Sequence, residues 1–283
     1  IEELSAFQGS KYVQSFTGNT FPEVKKFLED GRPVLFGGTP CQVFGLQCFL
    51  EHPYENLLTA DLVCHGVPSP MVFQDYLKWV ERTRGGPVTS ANFRCKEPSW
   101  TIFSMQLGLS DGRVYRADVN HDLFLRGFLQ NYFLRECCFH CPFAGPNRVG
   151  DLTLGDFWGY LSEKKEYRND EKGISLVILN TLNGKLQFQA ISEMLLFRPE
   201  TMQRAQAGNR CLSRPFSANS QSENFWTIYE RDGFFAAGDR YFKVTHPLLK
   251  TRIHRFVNNR LYWVPSEMQL GVLALLGRFS GNP

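Results

Sequence analysis

Residues 135–160 read RECCFHCPFAGPNRVGDLTLGDFWGY, and the rest of the chain is organised around them. Three cysteines, several Gly and Pro turn signals and an aromatic cluster surround one acidic strand end. Cys138 and Cys141 form a C-x-x-C whose thiolates can reach one metal, and Pro142 follows at once, which stops the backbone from continuing as a helix. The spacing predicts a tight, metal-ready loop, then an alternating strand between Asp151 and Asp156.

Working outward, two more cysteines sit in contexts of the same kind. Cys41 lies in Gly-Gly-Thr-Pro-Cys-Gln and Cys64 in Leu-Val-Cys-His-Gly-Val-Pro, each just after an apolar run and beside Gly and Pro. Four thiols at loop mouths suit one all-cysteine site, and soft thiolates select zinc or an iron–sulfur cluster. Spacing alone serves those two metals equally. A thioredoxin-like dithiol fits poorly, because that motif opens a helix and Pro142 and Gly145 break the chain here.

The chain has 283 residues, 43% hydrophobic and 14% aromatic, enough to bury one large core or two modest ones. A net charge of +3 without Lys/Arg blocks argues against nucleic acid as a partner. Eight cysteines in a chain of this length are too sparse for a disulfide scaffold, so metal or redox chemistry in a reducing, cytoplasmic setting is expected. No basic flank or apolar run of a secretory signal opens the sequence, and its start at Ile1 rather than Met leaves room for an upstream segment. Leu270 to Leu276 falls far short of the ~20 residues of a membrane span. A soluble chain is expected.

In order, residues 11–19 read as strand or loop, and a helix begins at Thr20 with Phe21, Val24, Phe27 and Leu28 on one face. The buried strand Val34-Leu-Phe-Gly-Gly delivers Cys41 to the start of a helix over 42–50, where free N–H groups and the macrodipole favour a thiolate. Residues 56–63 repeat the plan, delivering Cys64, with a helix over 71–84. Ligands commonly gather at such strand ends. Antiparallel strands follow over 88–95, 101–109 and 113–117, with Ser110-Asp-Gly as a hairpin turn. A helix over 118–134 leads into the C-x-x-C; beyond it come a strand over 174–180, a turn at 181–184 and a helix over 185–196. This is an α/β pattern, a mixed sheet with helices on its faces and irregular cysteine-bearing loops. Residues 1–197 are expected to form the core. Residues 198–283 form an extension packing on it, with a polar surface excursion at 198–225. No G-x-G-x-x-G follows a strand and opens a helix and no G-x-x-x-x-G-K-[ST] occurs, so neither a Rossmann dinucleotide site nor a P-loop is supported.

Gly38-Thr-Pro-Cys-Gln, Leu62-Val-Cys-His-Gly-Val-Pro-Ser, Phe93-Arg, Arg135-x-x-Cys138-x-x-Cys141 and Asp151-Leu-Thr-Leu-Gly-Asp-Phe-Trp-Gly159 stand in this order. The set resembles the coenzyme F420 hydrogenase/dehydrogenase beta subunit family, which is related to 7-hydroxymethyl chlorophyll a reductase. Lys11-Tyr-Val-Gln-Ser, Gly18-Asn-Thr and Lys172-Gly-Ile-Ser-Leu-Val extend the likeness over roughly residues 8 to 190. The joint occurrence is specific. It implies a non-Rossmann flavoprotein with FAD beside a 4Fe-4S cluster, an oxidoreductase passing electrons between a hydride-carrying small molecule and ferredoxin or a partner subunit.

On the matching positions, Cys41, Cys64, Cys138 and Cys141 look like the cluster ligands. Lys11, Asn19, Lys172 and Ser175 are candidates for FAD phosphate or ribose, and Thr39, Gln42, Asp156 and Trp158 complete the FAD set. No catalytic acid or base is identifiable. Many relatives carry an upstream ferredoxin-like segment that does not stand in the sequence given; unless it was trimmed away, electrons are expected to leave through a separate partner. The family usually has Arg-Pro-Ser-Cys where this chain has Arg135-Glu-Cys-Cys138, so Cys137 replaces a serine and is expected to be idle. Cys95 stands where an Asp is usual. Cys48, Cys95 and Cys211 read as buried or incidental thiols. The competing reading is a non-enzymatic electron-relay or assembly subunit with an empty flavin pocket; a zinc-stabilised, redox-silent protein is the third.

Overall fold

The computed structural model describes residues 9–97, 100–160 and 173–242. Its first sheet takes strands β1 (Val34–Gly38), β2 (Leu57–Leu62), β6 (Leu152–Asp156) and β7 (Ser175–Leu179), in the order β1-β2-β6-β7. The first three run parallel and β7 returns antiparallel, so the sheet is mixed, as the α/β pattern implies. Helices α1 (Thr20–Glu29) and α2 (Pro40–Leu50) cover β1 and β2: Val24, Leu28, Leu46 and Leu50 are buried against Val34, Phe36 and Leu57.

The second sheet, β3 (Val88–Cys95), β4 (Ser104–Leu109) and β5 (Val114–Asp118), is antiparallel throughout. The Ser110-Asp-Gly turn closes its second hairpin, with Gly112 at φ 84°, a conformation glycine adopts without strain. Helices α3 (Pro70–Arg84), α4 (Leu123–Leu129) and α8 (Ser222–Phe242) enclose the main core around Tyr76, Met105, Phe124, Phe128, Phe133 and Phe225. Helix α8 bends at Gly233, whose φ of 83° and ψ of 177° are not helical.

Four expected elements come out differently. The helix expected over 118–134 is confined to α4. Asp118 turns the chain by accepting from Asn120 N (2.9 Å) and pairing with His121 Nδ1 (2.7 Å), and Asp122 caps the helix by accepting from Leu125 N at 2.8 Å. Such side-chain bonds compete with helix formation. At the far end Asn131 adopts φ 63° and ends it. Residues 101–103 lie outside β4. The turn expected at 181–184 is instead the first turn of α6 (Leu182–Ile191), because Thr181 accepts from Gly184 N at 3.1 Å and starts the helix early. Residues 198–225 carry α7 (Met202–Gly208) and a 3-10 turn, Arg210–Leu212, and bury Ala205 and Leu212 against Phe157 and Leu176. Residues 243–283, the C-terminal part of the expected extension, lie outside the described part.

Candidate functional site

Parallel register brings the ends of β1, β2 and β6 to one edge of the first sheet. Gly38 pairs with Asp61, and Leu62 with Leu154, so the residues that follow these strands emerge side by side. They are Cys41, Cys64 and the Asp156–Trp158 segment. Ser175 opens β7 opposite Asp156 and joins the same edge. The C-x-x-C arrives from the other sheet's side. Residues 133–138 run against the loop after β2 through Ser69 N to Phe133 O (3.1 Å) and Arg135 N to Val67 O (2.9 Å). Val67 N then donates to Cys138 Sγ at 3.5 Å.

The thiols differ in setting. Cys41 is exposed on the first turn of α2, where Thr39 Oγ1 lies 3.2 Å from its sulfur. Cys138 sits on a short helix, α5 (Glu136–Phe139), rather than in the loop expected for it, and the chain breaks before Pro142. Burial pushes the Cys64 thiol up to about 12, a backbone bond at Gly66 opposes this, and the neighbouring Cys138, Cys41 and Cys211 push it further. Burial likewise raises Cys138 to about 11, with Cys137 and Cys141 adding to it. Negative charge on one thiolate opposes charge on the next, and a bound cation would relieve that repulsion. Among the described residues no three His, Cys, Asp or Glu side chains are gathered as ligands of a single ion. A lone tetrahedral zinc, with Zn–S near 2.3 Å, needs its sulfurs within about 4 Å of each other. A polynuclear cluster takes each thiolate on a different iron and fits a wider set. Cys137 and Cys48 are exposed, and Cys95 ends β3.

Gly66 makes the close approach of the two cysteine loops possible. At its φ of 125° a Cβ would stand 3.0 Å from Leu134 Cδ1 and 3.3 Å from Cys138 Cβ. The C-x-x-C loop is tied to the sheet by Arg148. Its guanidinium donates to Asp61 Oδ1 (2.7 Å), Leu62 O (2.8 Å), Phe143 O (2.9 Å) and Thr153 Oγ1 (3.2 Å). Asp151 works at the opposite end of β6, accepting from Thr59 N (2.8 Å) and Thr181 Oγ1 (2.6 Å), and so binds strand to strand.

Beside the cysteines, Asp156 and Trp158 of the expected FAD set join an aromatic cage whose other members the sequence did not place there. Arg94 is buried between the faces of Phe103 and Trp158, at 4.8 and 4.7 Å, and pairs with Asp156. Trp100 stacks on Trp158 at 4.6 Å and donates Nε1 to Asp156 Oδ1 at 3.2 Å. Tyr12 stacks on Phe128 at 4.9 Å; burial raises its phenol and the nearby Arg94 opposes the shift. Arg94 Nε is buried without a hydrogen-bond partner. The only sequence signal for it was the Phe93-Arg dipeptide.

The other expected FAD residues are dispersed. Asn19 is exposed at the start of α1, and Lys11 donates to Gly9 O at 3.2 Å. Thr39 N donates to Gln42 Oε1 (3.0 Å) and Gln42 Nε2 to Ser15 Oγ (3.2 Å), so both brace the entry to α2. Ser175 is exposed beside Asp156, and Lys172 lies outside the described residues. His65 packs its ring on Phe128 (4.9 Å) and Phe216 (4.2 Å), while His140 is exposed.

Among known proteins, the family model for the C terminus of the coenzyme F420 hydrogenase/dehydrogenase beta subunit matches residues 31–203. No curated protein matches the chain. One solved structure, a chain of the F420-reducing [NiFe] hydrogenase complex from Methanosarcina barkeri, is similar over 80% of this chain and 70% of that one, at 15% identity and a TM-score of 0.43. Among the described residues no helix is long and apolar enough to cross a membrane.

Proposed function

The chain belongs to the coenzyme F420 hydrogenase/dehydrogenase beta subunit family, one of electron-transferring oxidoreductases, and from that premise we propose that it is an iron–sulfur flavoprotein. When bound, FAD supplies hydride exchange with a small-molecule carrier and a 4Fe-4S cluster supplies single-electron transfer to ferredoxin or a partner subunit. The cluster would be held by Cys41, Cys64, Cys138 and Cys141. The Val67 N–H on Cys138 Sγ supports a sulfur that carries negative charge, and such bonds tune a cluster's potential. Arg94 would offer its free Nε to the acceptor edge of a flavin, held in place by Asp156, while Trp100 and Trp158 exclude water.

One observation carries the reading: three parallel strands and the C-x-x-C bring cysteines and the Arg94 cage to one sheet edge. A second reading, an electron relay without flavin, is favoured by the engagement of Thr39, Gln42 and Asp156 with groups of the chain itself. An ultraviolet–visible spectrum of anaerobically purified protein before and after dithionite, with flavin, iron and zinc quantified, separates them. Flavin bands over a broad, reducible shoulder are expected. The shoulder without flavin selects the relay, and a featureless spectrum with stoichiometric zinc overturns both.

A further inference from the structure

Residues 182–197, which comprise α6 and the turn and tail after it, keep their large apolar side chains on the outside. Leu182 (72% exposed), Leu186, Ile191, Met194, Leu196 (82% exposed) and Phe197 are all exposed. The buried residue of α6 is Gly184, whose backbone lies so close to β6 that a Cβ would stand 2.3 Å from Asp151 O and 3.2 Å from Leu152 Cδ2. Asn183 Nδ2 donates to Leu57 O at 3.2 Å. The helix is thus seated by its first turn and not by its apolar side chains. Phe188 packs on Phe197 at 5.2 Å and folds the tail back onto the helix.

The sheet beside it is open as well. Leu152 and Leu154 alternate onto one face of β6, and Leu154 pairs with Val177 of β7; both Leu154 and Val177 are exposed. The opposite face is covered, by α1 and α2 on β1 and β2 and by Ala205 of α7 on Leu176. Parallel strands are ordinarily covered on both faces. Eight exposed apolar residues at roughly 100 Å² each leave on the order of 800 Å² open. The largest patch of a typical monomer is roughly 300–600 Å², and one side of a standard dimer interface is about 800 Å².

The charges of the segment say what fits it. Lys185 and Glu193 are the only charged residues between Ser175 and Phe197. Both are exposed, and neither has an ion-pair partner among the described residues. In a two-fold interface residue i of one copy meets j of the other and j meets i, so the face must complement itself. One lysine and one glutamate, unpaired within a single copy, meet that condition. A face built for a partner of opposite charge would carry one sign in excess.

We propose that this face is the contact between two copies of the chain, with Lys185 of each copy against Glu193 of the other. It lies at the Asp151 end of β6, whereas the cysteines gather at the Asp156 end, so each copy keeps its own cysteine site open. Neither FAD nor a cluster is needed for this contact.

Sedimentation equilibrium of the full chain over a micromolar concentration series tests it. Wild type is expected at twice the mass of one chain. Leu196→Asp is expected to be a monomer with an unchanged circular dichroism spectrum, because that side chain is exposed in the single copy. Lys185→Glu and Glu193→Lys each set like charges together and should raise the dimer Kd about tenfold or more. The double variant carrying both changes restores opposite charges and should return the Kd close to the wild-type value. The charge variants decide the matter even where Leu196→Asp fails to fold. A monomeric wild type, a folded Leu196→Asp dimer as tight as wild type, single charge variants with unchanged Kd, or a double variant no tighter than the single ones would each overturn the proposed contact.

Discussion

Arg148→Met is the perturbation whose cost the structure defines best. The Arg148 side chain is 2% exposed and its partner Asp61 is 0% exposed. Asp61 also accepts from Val149 N (3.2 Å) and Gly150 N (2.8 Å), so one carboxylate gathers the whole turn that leads from the C-x-x-C loop into β6. Methionine nearly preserves the volume but leaves Asp61 charged, buried and without its cation. Breaking a buried pair from one side costs about 3–5 kcal/mol. With a urea m-value of about 3 kcal/mol/M, the unfolding midpoint should fall by about 1 M or more. The carbonyls of Leu62, Phe143 and Gly145 lose their donor at the same time, so the Cys141 loop should loosen and iron content drop. Asp61→Asn completes a double-mutant cycle, in which the two changes together should cost much less than their sum. A loss below about 1 kcal/mol, the scale of an exposed pair, or strictly additive costs, would refute the claim that this pair locks the loop to the sheet.

Two further outcomes follow from the geometry. Gly66→Ala forces a left-handed backbone and a Cβ against Leu134 and Cys138, so it should lose about 1–3 kcal/mol in denaturant melts and release Cys138 from Val67 N–H. Unchanged stability and iron content would show that the two loops are not in contact. Burial raises the Asp122 carboxyl from 3.8 to about 6, opposed by bonds from Leu125 N, Tyr76 and Tyr115. Because the folded value lies above the unfolded one, this group's contribution is fully present below pH 3.8 and is lost as pH rises through about 6, by roughly 3 kcal/mol in all. Stability of wild type minus Asp122→Asn should fall across that window. A flat difference would place Asp122 in water.

Residues 135–160 and the two Gly-Pro-flanked cysteines were enough to single out the loops that meet at one sheet edge, because strand periodicity and turn residues are local properties and each ends where the next loop begins. The α/β class, the antiparallel block and the family likeness were legible on the same grounds. Boundaries slipped where a single side chain competed with the helix pattern, at Asp118, Asp122 and Thr181. The FAD set was legible least. Family position cannot say which polar groups face one another, and Thr39 and Gln42 turned toward each other instead.

By itself, then, the sequence determined which segments are strands, where each strand stops and which thiols stand at those stops. The order β1-β2-β6-β7, in which β6 enters beside β2 across an intervening antiparallel sheet, belonged to the tertiary structure alone. That order sets Arg148 on Asp61, and Arg94 on Asp156 and Trp158. No residue spacing encodes such partners. They meet because burying both sheets' apolar faces leaves one arrangement in which the buried charges are paired, and that choice is made by the whole core at once.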